Sequence, residues 1–224
     1  MSVKLYEGDC MAILPTLAAN SVAMVLTDIP YGEVSRESFG LRRLDKGDAN
    51  VLTFDLDAFV DELVRVCSGS FYVFCGAEQV SPLVLALRRH GLTIRAGVWE
   101  KTNPSPMNGE HLWLSALEHC VFARKSGATF NAFCAPALWR HNAGSSERHP
   151  TEKPVGLFRK LIEASTNRGD TVLDPCAGSG TTGEAADGIG RNAILIERKP
   201  EYCAPIRDRI ANGAPLFGNP LEAA

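Results

Sequence analysis

The sequence predicts an α/β fold built on a seven-stranded, mostly parallel sheet with helices on both faces. Three observations lead to this prediction. Short apolar runs alternate with longer segments of helical periodicity, which is the order expected of parallel strands joined by crossover helices. Several of these runs are continuously apolar, as strands buried on both faces must be. One run enters a glycine-rich turn that opens a helix.

Seven segments have the length and the apolar or β-branched composition of strands. They are residues 3–6, 22–27, 70–75, 93–100, 118–124, 171–173 and 192–197. Five segments carry apolar residues at helical spacing, namely residues 56–67, 79–90, 155–166, 181–189 and 201–211. Pro154 suits the start of its helix, and Gly169 is a stop signal before the next strand.

Composition narrows the class of protein. The chain has 224 residues, enough for one domain with a sizeable core, so residues 1–224 are predicted as a single domain. The net charge of −3 disfavours a protein that coats nucleic acid through bulk positive charge. Seven cysteines without a Cys-x-x-Cys pair indicate a reduced, cytoplasmic protein, and no apolar run approaches roughly 18 residues. Cys134, His141 and His149 lack the spacing of a zinc site, so no metal is predicted.

Two segments fit neither the strand nor the helix pattern. Residues 32–53 and 126–150 are long for connections in a compact domain, and loops of that length are usually functional or mobile. Basic side chains lie in both, and Trp139 in the second, which suits phosphate contacts and base stacking. An exposed, solvated loop is the alternative interpretation. The basic residues proposed to contact DNA are Arg36, Arg42, Arg43, Lys46, Arg140 and Arg148.

The first motif with chemical character directly follows the strand predicted at 22–27. It reads Thr27-Asp28-Ile29-Pro30-Tyr31-Gly32. Its carboxylate, proline carbonyl and aromatic ring could hold an amino group and stack on the ring that carries it. Taken alone, Asp-x-Pro is also a common turn after a strand.

The second motif lies between the strand predicted at 171–173 and the helix predicted at 181–189. It reads Asp174-Pro175-Cys176-Ala177-Gly178-Ser179-Gly180-Thr181-Thr182. Its two glycines allow a tight turn and a close approach of the backbone to a ligand. A purely structural strand-to-helix turn is the alternative interpretation.

In this order, the two motifs resemble the signatures of the beta class of DNA amino-methyltransferases, within the adenine-N6/cytosine-N4 family. The segments that resemble the intervening blocks of that class are 8–10, 71–76, 99–104, 118–125 and 149–154. The resemblance implies a Rossmann-like class I methyltransferase fold that is circularly permuted, with strand order 3-2-1-4-5-7-6 and strand 3 at the N-terminus. It also places a short target-recognition insertion around 126–150.

The resemblance assigns the cofactor S-adenosylmethionine to the glycine loop, from Asp174 to Thr182. Glu197 is expected to accept hydrogen bonds from the ribose hydroxyls. Asp9 and Cys10 are expected near the adenine ring, and Lys153 near the methionine end. An Asx turn is the alternative for Asp9, and a solvated charge for Lys153.

The resemblance makes Asp28, Pro30 and Tyr31 the expected catalytic residues, with Asp28 also beside the cofactor. The lone pair of an exocyclic amine is delocalised into its ring. The Asp28 carboxylate and the Pro30 carbonyl would accept the two amine hydrogens and free that lone pair, while Tyr31 stacks on the flipped-out base. Aspartate favours adenine as the target because cytosine-4-amino members more often carry serine here. The cytosine amine is the alternative.

Three features depart from the family pattern. Ile29 replaces a proline, Cys176 replaces a phenylalanine, and the recognition insertion is very short. The loop after Tyr31 is therefore expected to share the recognition of double-stranded DNA. A homodimer is expected to enlarge the contact surface, and a restriction endonuclease is a candidate partner.

Other classes of enzyme fit less well. Cytosine carbon-5 methylation needs a nucleophilic cysteine, and the only Pro-Cys pair, at 175–176, lies in the cofactor loop. Protein-glutamine and RNA amino-methyltransferases normally place the catalytic motif after the glycine motif. A dehydrogenase would need Gly-x-Gly-x-x-Gly near the N-terminus. A catalytically inactive DNA-binding subunit of the same fold is disfavoured because both motifs are intact.

Overall fold

The structure is a computed structural model that describes residues 2–31, 52–106, 108–143 and 153–211. Within these ranges the chain forms eight strands and six α-helices. The strands are β1 (Val3–Glu7), β2 (Val22–Asp28), β3 (Cys67–Cys75), β4 (Thr93–Lys101), β5 (Leu117–Arg124), β6 (Leu138–His141), β7 (Thr171–Asp174) and β8 (Asn192–Glu197). The helices are α1 (Cys10–Ile13), α2 (Leu56–Val66), α3 (Val80–Arg89), α4 (Val155–Ser165), α5 (Thr181–Gly188) and α6 (Pro200–Ala211).

All eight strands form one sheet in the order β1-β8-β7-β2-β3-β5-β4-β6. The block from β1 to β3 is parallel, and β5 runs antiparallel to both β3 and β4. Counted from the β1 edge, the first seven strands correspond in turn to strands 3, 2, 1, 4, 5, 7 and 6 of the unpermuted methyltransferase sheet. This is the predicted order, with the N-terminal strand at one edge. The predicted α/β class and its permuted connectivity are therefore confirmed.

The prediction of seven strands is one strand short. β6 adds an eighth strand parallel to β4, and it lies inside the segment 126–150, for which the sequence predicts neither a strand nor a helix. Trp139 explains the pairing: its indole is buried against Gly97, where an added Cβ would lie 2.5 Å from the ring. The suggestion that Trp139 stacks on a base is wrong, because its ring is only 7% exposed.

Each face of the sheet has its own apolar core. One core joins α1, α2 and α3 to the sheet and includes Phe59, Leu63 and Leu87. The other joins α4, α5 and α6 to the opposite face and includes Phe158 and Leu161. Because side chains alternate along a strand, neighbouring residues of β2 and β3 supply both cores, which explains their continuously apolar sequences.

The parallel strands end along one edge of the sheet, where both sequence motifs begin. β2 ends at Asp28 and β7 ends at Asp174, and these two strands pair directly. In open α/β sheets, ligands bind at the carboxyl ends of the strands. None of the described helices is long and apolar enough to cross a membrane. All seven cysteines are free thiols.

Candidate active site

The first motif leaves the end of β2 and is held there by the neighbouring strand β3. The Ile29 amide donates to the Phe74 carbonyl at 3.1 Å, and the Ile29 side chain is buried in the core. Isoleucine at this position therefore serves packing. Gly76 follows β3 and lies beside Tyr31, with its would-be Cβ 3.4 Å from that of Tyr31.

Asp28 and Tyr31 belong to a compact cluster of charged and polar side chains. The Tyr31 hydroxyl lies 3.1 Å from Asp28 Oδ1 and 3.1 Å from Glu118 Oε2. Lys153 Nζ contacts Asp28 Oδ2 at 2.5 Å, Glu118 Oε2 at 2.9 Å and the Tyr31 hydroxyl at 3.3 Å. Lys101 Nζ lies 2.8 Å from the other oxygen of Glu118. The charges of the two carboxylates and the two ammonium groups therefore cancel around the phenol of Tyr31.

Burial and mutual contact shift the pKa values of this cluster in different directions. Burial raises the pKa of Asp28, and the nearby Lys153 opposes that rise. Burial also disfavours the charge on Glu118, but Lys153 and Lys101 outweigh it and lower the pKa of Glu118 to about 2. Burial and the two carboxylates raise the pKa of Tyr31, so its hydroxyl keeps its proton at neutral pH.

The carbonyl of Pro30 is held by a side chain from the segment after β3. Gln79 Nε2 donates to the Pro30 oxygen at 2.8 Å, and Gln79 Oε1 accepts from the Gly76 amide at 2.9 Å. This bridge fixes the orientation of the Pro30 carbonyl. A carbonyl oxygen has two lone pairs, so one stays free to accept a second donor.

The glycine loop is tied together by Asp174, which is 3% exposed. Its carboxylate accepts from the Cys176 amide at 3.1 Å and from the Thr182 hydroxyl at 2.5 Å. Burial raises the pKa of Asp174 to about 6. Gly178 and Gly180 adopt φ of +51° and +84°, which glycine tolerates best, and Gly180 caps the start of α5.

The remaining members of the glycine motif lie along the same turn. Ala177 donates its amide to the Ile196 carbonyl at 2.9 Å, which binds the loop to β8. The hydroxyls of Ser179 and Thr181 lie 3.2 Å apart. Pro175 precedes Cys176 at the end of β7.

Glu197, at the end of β8, lies directly against the glycine loop. Its two carboxylate oxygens accept from the amides of Gly178 at 2.7 Å and Lys199 at 2.8 Å. Burial raises the pKa of Glu197, while the backbone donors lower it. The sequence separation of 19 residues between Gly178 and Glu197 thus becomes direct contact in the fold.

Asp9 and Cys10 approach the same region from the end of β1. Asp9 caps α1 by accepting from the Met11 amide at 2.7 Å, so the Asx turn considered for it is present. The Cys10 thiol hydrogen-bonds with that of Cys176, which lowers the pKa of Cys10 and raises that of Cys176. The structure therefore brings the predicted Cys10 and Cys176 together.

The residues predicted to contact DNA are mostly beyond the described part of the chain. Arg140 lies on β6, with its side chain 67% exposed and paired to Glu100 at 2.8 Å. The segment 32–53 lies outside the described residues except at its last two positions, and the segment 126–150 is described only as far as 143. The candidates that lie outside are Arg36, Arg42, Arg43, Lys46 and Arg148.

Sequence reasoning missed three residues of this site. Glu118, Lys101 and Gln79 complete the surroundings of Asp28 and Pro30, although no motif assigned them a role. The interpretation of Lys153 as a solvated charge is wrong, because its side chain is 5% exposed. An acidic residue opening the apolar strand β5 was a usable signal, since a charge at the edge of a buried strand needs a partner. Among the described residues, no His, Cys, Asp and Glu cluster could hold a metal.

The permuted sheet, with the glycine loop beside Glu197 and the Asp-x-Pro-Tyr turn on the adjacent strand, has the fold of class I DNA methyltransferases. Comparisons with known proteins also point to a DNA methyltransferase. A family model described as DNA methylase matches residues 125–208. The type II methyltransferase M2.LlaDCHI of Lactococcus lactis subsp. cremoris is 27% identical, over 94% of this chain and 90% of its own. The chain is therefore similar to DNA methyltransferases of the adenine-N6/cytosine-N4 family.

Solved structures give the same fold. The crystal structure of the M1.HpyAVI–SAM complex is 25% identical with a TM-score of 0.69, over 93% of this chain and 99% of that one. The PvuII DNA methyltransferase, described as cytosine-N4-specific, has a TM-score of 0.74 at 20% identity, over 95% of this chain and 94% of that one. At 20% identity, the likeness to the PvuII enzyme shows a shared fold alone.

Proposed function

We propose that this methyltransferase transfers the methyl group of S-adenosylmethionine to the 6-amino group of an adenine flipped out of double-stranded DNA, at a specific sequence. The observation that carries the proposal is Asp28, a carboxylate at the end of β2 in a chain of this family. Its carboxylate lies 3.1 Å from the Tyr31 hydroxyl, and Pro30 is two residues further along the chain. Family members that act on the cytosine amine more often carry serine at this position.

The glycine loop suits the cofactor. A Cβ on Gly178 would meet nothing within 4 Å, so the backbone there faces open space. The Glu197 carboxylate lies at the same point, and each of its oxygens keeps a lone pair for a ribose hydroxyl. When bound, S-adenosylmethionine supplies an electrophilic methyl group on a sulfonium. The residues proposed to hold it are Asp9, Cys10, Asp28, Lys153, Asp174, Pro175, Cys176, Gly178, Ser179, Gly180, Thr181, Thr182 and Glu197.

Asp28 and Pro30 provide the two acceptors that an amine with two hydrogens needs. Accepting both hydrogens draws the nitrogen toward tetrahedral geometry and frees its lone pair. Both acceptors are on rigid supports, since Asp28 ends a central strand and Pro30 is bridged by Gln79. Tyr31 contributes its ring to stacking on the base.

The segment around 126–150 is the proposed DNA-recognition region, and the loop around 32–53 is proposed to assist it. Arg140 is its described basic member, and Arg36, Arg42, Arg43, Lys46 and Arg148 complete the set. A homodimer would enlarge this surface, and the exposed apolar side chains of Trp113 and Phe133 are suited to contact with another macromolecule. Light scattering that reports only monomer, with and without DNA, would contradict the dimer.

The proposed cellular setting is the cytoplasm. Free thiols throughout the chain suit the reducing cytoplasm, where DNA is also found. A restriction endonuclease with the same target sequence is the proposed partner, because the relative M2.LlaDCHI is a type II methyltransferase.

The experiment is to methylate DNA with the purified protein and S-adenosylmethionine, digest the product to nucleosides and separate them by mass spectrometry. The expected product is 6-methyladenine, and Asp28→Ala is the control that should yield almost none. A product containing 4-methylcytosine without 6-methyladenine would contradict the adenine assignment. It would leave the amino-methyltransferase mechanism standing.

A further inference from the structure

We propose that Glu118 is a positioning residue for methyl transfer: it holds the Tyr31 hydroxyl and shares the Lys153 ammonium, so that Asp28 keeps an oxygen for the target amine. This inference rests on the proposed function of Asp28. In the structure both oxygens of Asp28 are engaged, one by Tyr31 and one by Lys153. An incoming amine must therefore share an Asp28 oxygen with one of these contacts or displace it.

Glu118 can accept the hydrogen bond of the Tyr31 hydroxyl without any movement of the Tyr31 side chain. A phenol has one hydrogen, yet the Tyr31 oxygen lies 3.1 Å from both Asp28 and Glu118. The hydroxyl can thus donate to Glu118 when Asp28 accepts the amine. The Tyr31 ring stays anchored through its hydroxyl in either case.

Lys153 would otherwise depend on Asp28 alone. Its side chain is 5% exposed, and its ammonium contacts the two carboxylates at 2.5 Å and 2.9 Å. A buried cation without a full counter-charge is costly, so loss of Glu118 would bind Lys153 more tightly to Asp28. Because Lys153 is attracted to Glu118 as well, its contact with Asp28 is weaker and easier to replace by the amine.

Glu118 is itself firmly placed by the sheet. It lies on β5, and Lys101 on the adjacent strand β4 contacts its second oxygen at 2.8 Å. The Lys101 ammonium also lies 5.5 Å from the centre of the Trp99 ring. An acceptor fixed in this way can orient Tyr31 and Lys153 without moving with the substrate.

The same contacts give a pH signature. The titratable groups that act on Asp28 or lie in its surroundings are Lys153, Glu118, Tyr31, Asp174, Cys75 and Cys120, with Lys101 behind Glu118. The charge of Glu118 raises the pKa of Asp28, so removing that charge lowers it. Asp28 must be ionised to accept the amine. The acid limb of the rate profile should therefore move to lower pH in Glu118→Gln.

The test compares Glu118→Gln with wild type in a methyl-transfer assay on DNA between pH 5 and pH 9. We expect kcat to fall about 10-fold to 100-fold and KM for DNA to change less than about 3-fold, since a small misplacement near the reacting atoms has effects of this size. Glu118→Asp should recover part of the rate because it keeps the charge. Glu163→Gln, an exposed glutamate on α4, is the matched control and should behave as wild type.

Thermal unfolding and cofactor titration of each variant separate folding from chemistry. If Glu118→Gln does not fold, Lys101→Gln replaces it and should lower kcat about 3-fold to 10-fold by loosening Glu118. A folded variant with wild-type kcat would overturn the proposal, as would a reduced kcat with an unmoved acid limb, which indicates packing alone. If wild type itself transfers no methyl group to DNA, the proposed function fails and this inference fails with it.

Discussion

At the scale of the residue, three neighbouring carboxylates show how position decides protonation. Glu118 contacts two lysines, and its pKa falls to about 2. Asp174 receives hydrogen bonds from neutral donors only, and burial raises its pKa to about 6. Asp28 has one lysine and one like-charged neighbour, and burial raises its pKa as well. Nearby cations explain why the pKa of Glu118 falls while that of Asp174 rises. Hydrogen bonds from neutral groups do not fully offset the desolvation of a buried carboxylate.

Asp174 allows a pH test of this account. Its pKa is 3.8 in an ordinary setting and about 6 when folded, so the protonated form suits the fold. Stability from this group is present below pH 3.8 and is lost as the pH rises through 6. Relative to Asp174→Asn, which does not titrate, wild type should lose about 2 kcal/mol of unfolding free energy between pH 4 and pH 7.

Denaturant unfolding of both proteins at several pH values measures this difference. A constant difference between Asp174→Asn and wild type from pH 4 to pH 7 would show that Asp174 is not perturbed by burial.

The residues of the site were predictable when they lay within one local motif. Asp28, Pro30 and Tyr31 are adjacent in sequence, and a carboxylate followed by a proline and an aromatic ring suggests chemistry without reference to the rest of the chain. Glu118 lies 87 residues from Tyr31, and they meet because β3 pairs with β2 on one side and with β5 on the other. Contacts of this kind depend on sheet register, which local patterns do not encode.

At the scale of the element, the glycine loop is shaped by packing against α6. A Cβ on Gly180 would lie 2.9 Å from Ile206, a buried residue of that helix, whereas a Cβ on Gly169 would meet nothing within 4 Å. Both glycines have nearly the same φ, +84° and +85°. They form a matched pair in which backbone strain is equal and crowding differs.

Gly169→Ala should therefore cost about 1 kcal/mol of unfolding free energy, from the left-handed backbone alone. Gly180→Ala should cost about 3 kcal/mol, because crowding against a packed core adds to the same strain. Urea unfolding of the two variants measures both values. Equal losses would mean that Ile206 yields freely and that α6 does not constrain the loop.

Most elements of the fold were predictable because the strands are buried on both faces and read as apolar runs. β6 was missed for a physical reason. It has four residues, only Trp139 among them is buried, and its pairing depends on the space that Gly97 leaves on β4. The basic residues around Trp139 favoured a nucleic-acid contact, while the tertiary contact with Gly97 buries the ring.

At the scale of the whole molecule, the permuted sheet separates two tasks along one edge. The end of β2 carries the polar pocket of Asp28 and Tyr31, and the ends of β7 and β8 carry the glycine loop with Glu197. The two strands β2 and β7 are neighbours, so a methyl donor on one side can face an amine on the other. We expect Asp28 and Tyr31 to act on the target base and the glycine loop to hold the cofactor.

The most direct test measures two quantities on the same variants: transfer of a labelled methyl group to DNA, and affinity for S-adenosylmethionine. For Asp28→Ala and Tyr31→Ala we expect transfer to fall about 100-fold to 1000-fold, the usual effect of removing one preorganised contact. Cofactor affinity should stay nearly unchanged in Tyr31→Ala, and in Asp28→Ala it should change far less than transfer does. Transfer at the wild-type rate by either variant would contradict the account.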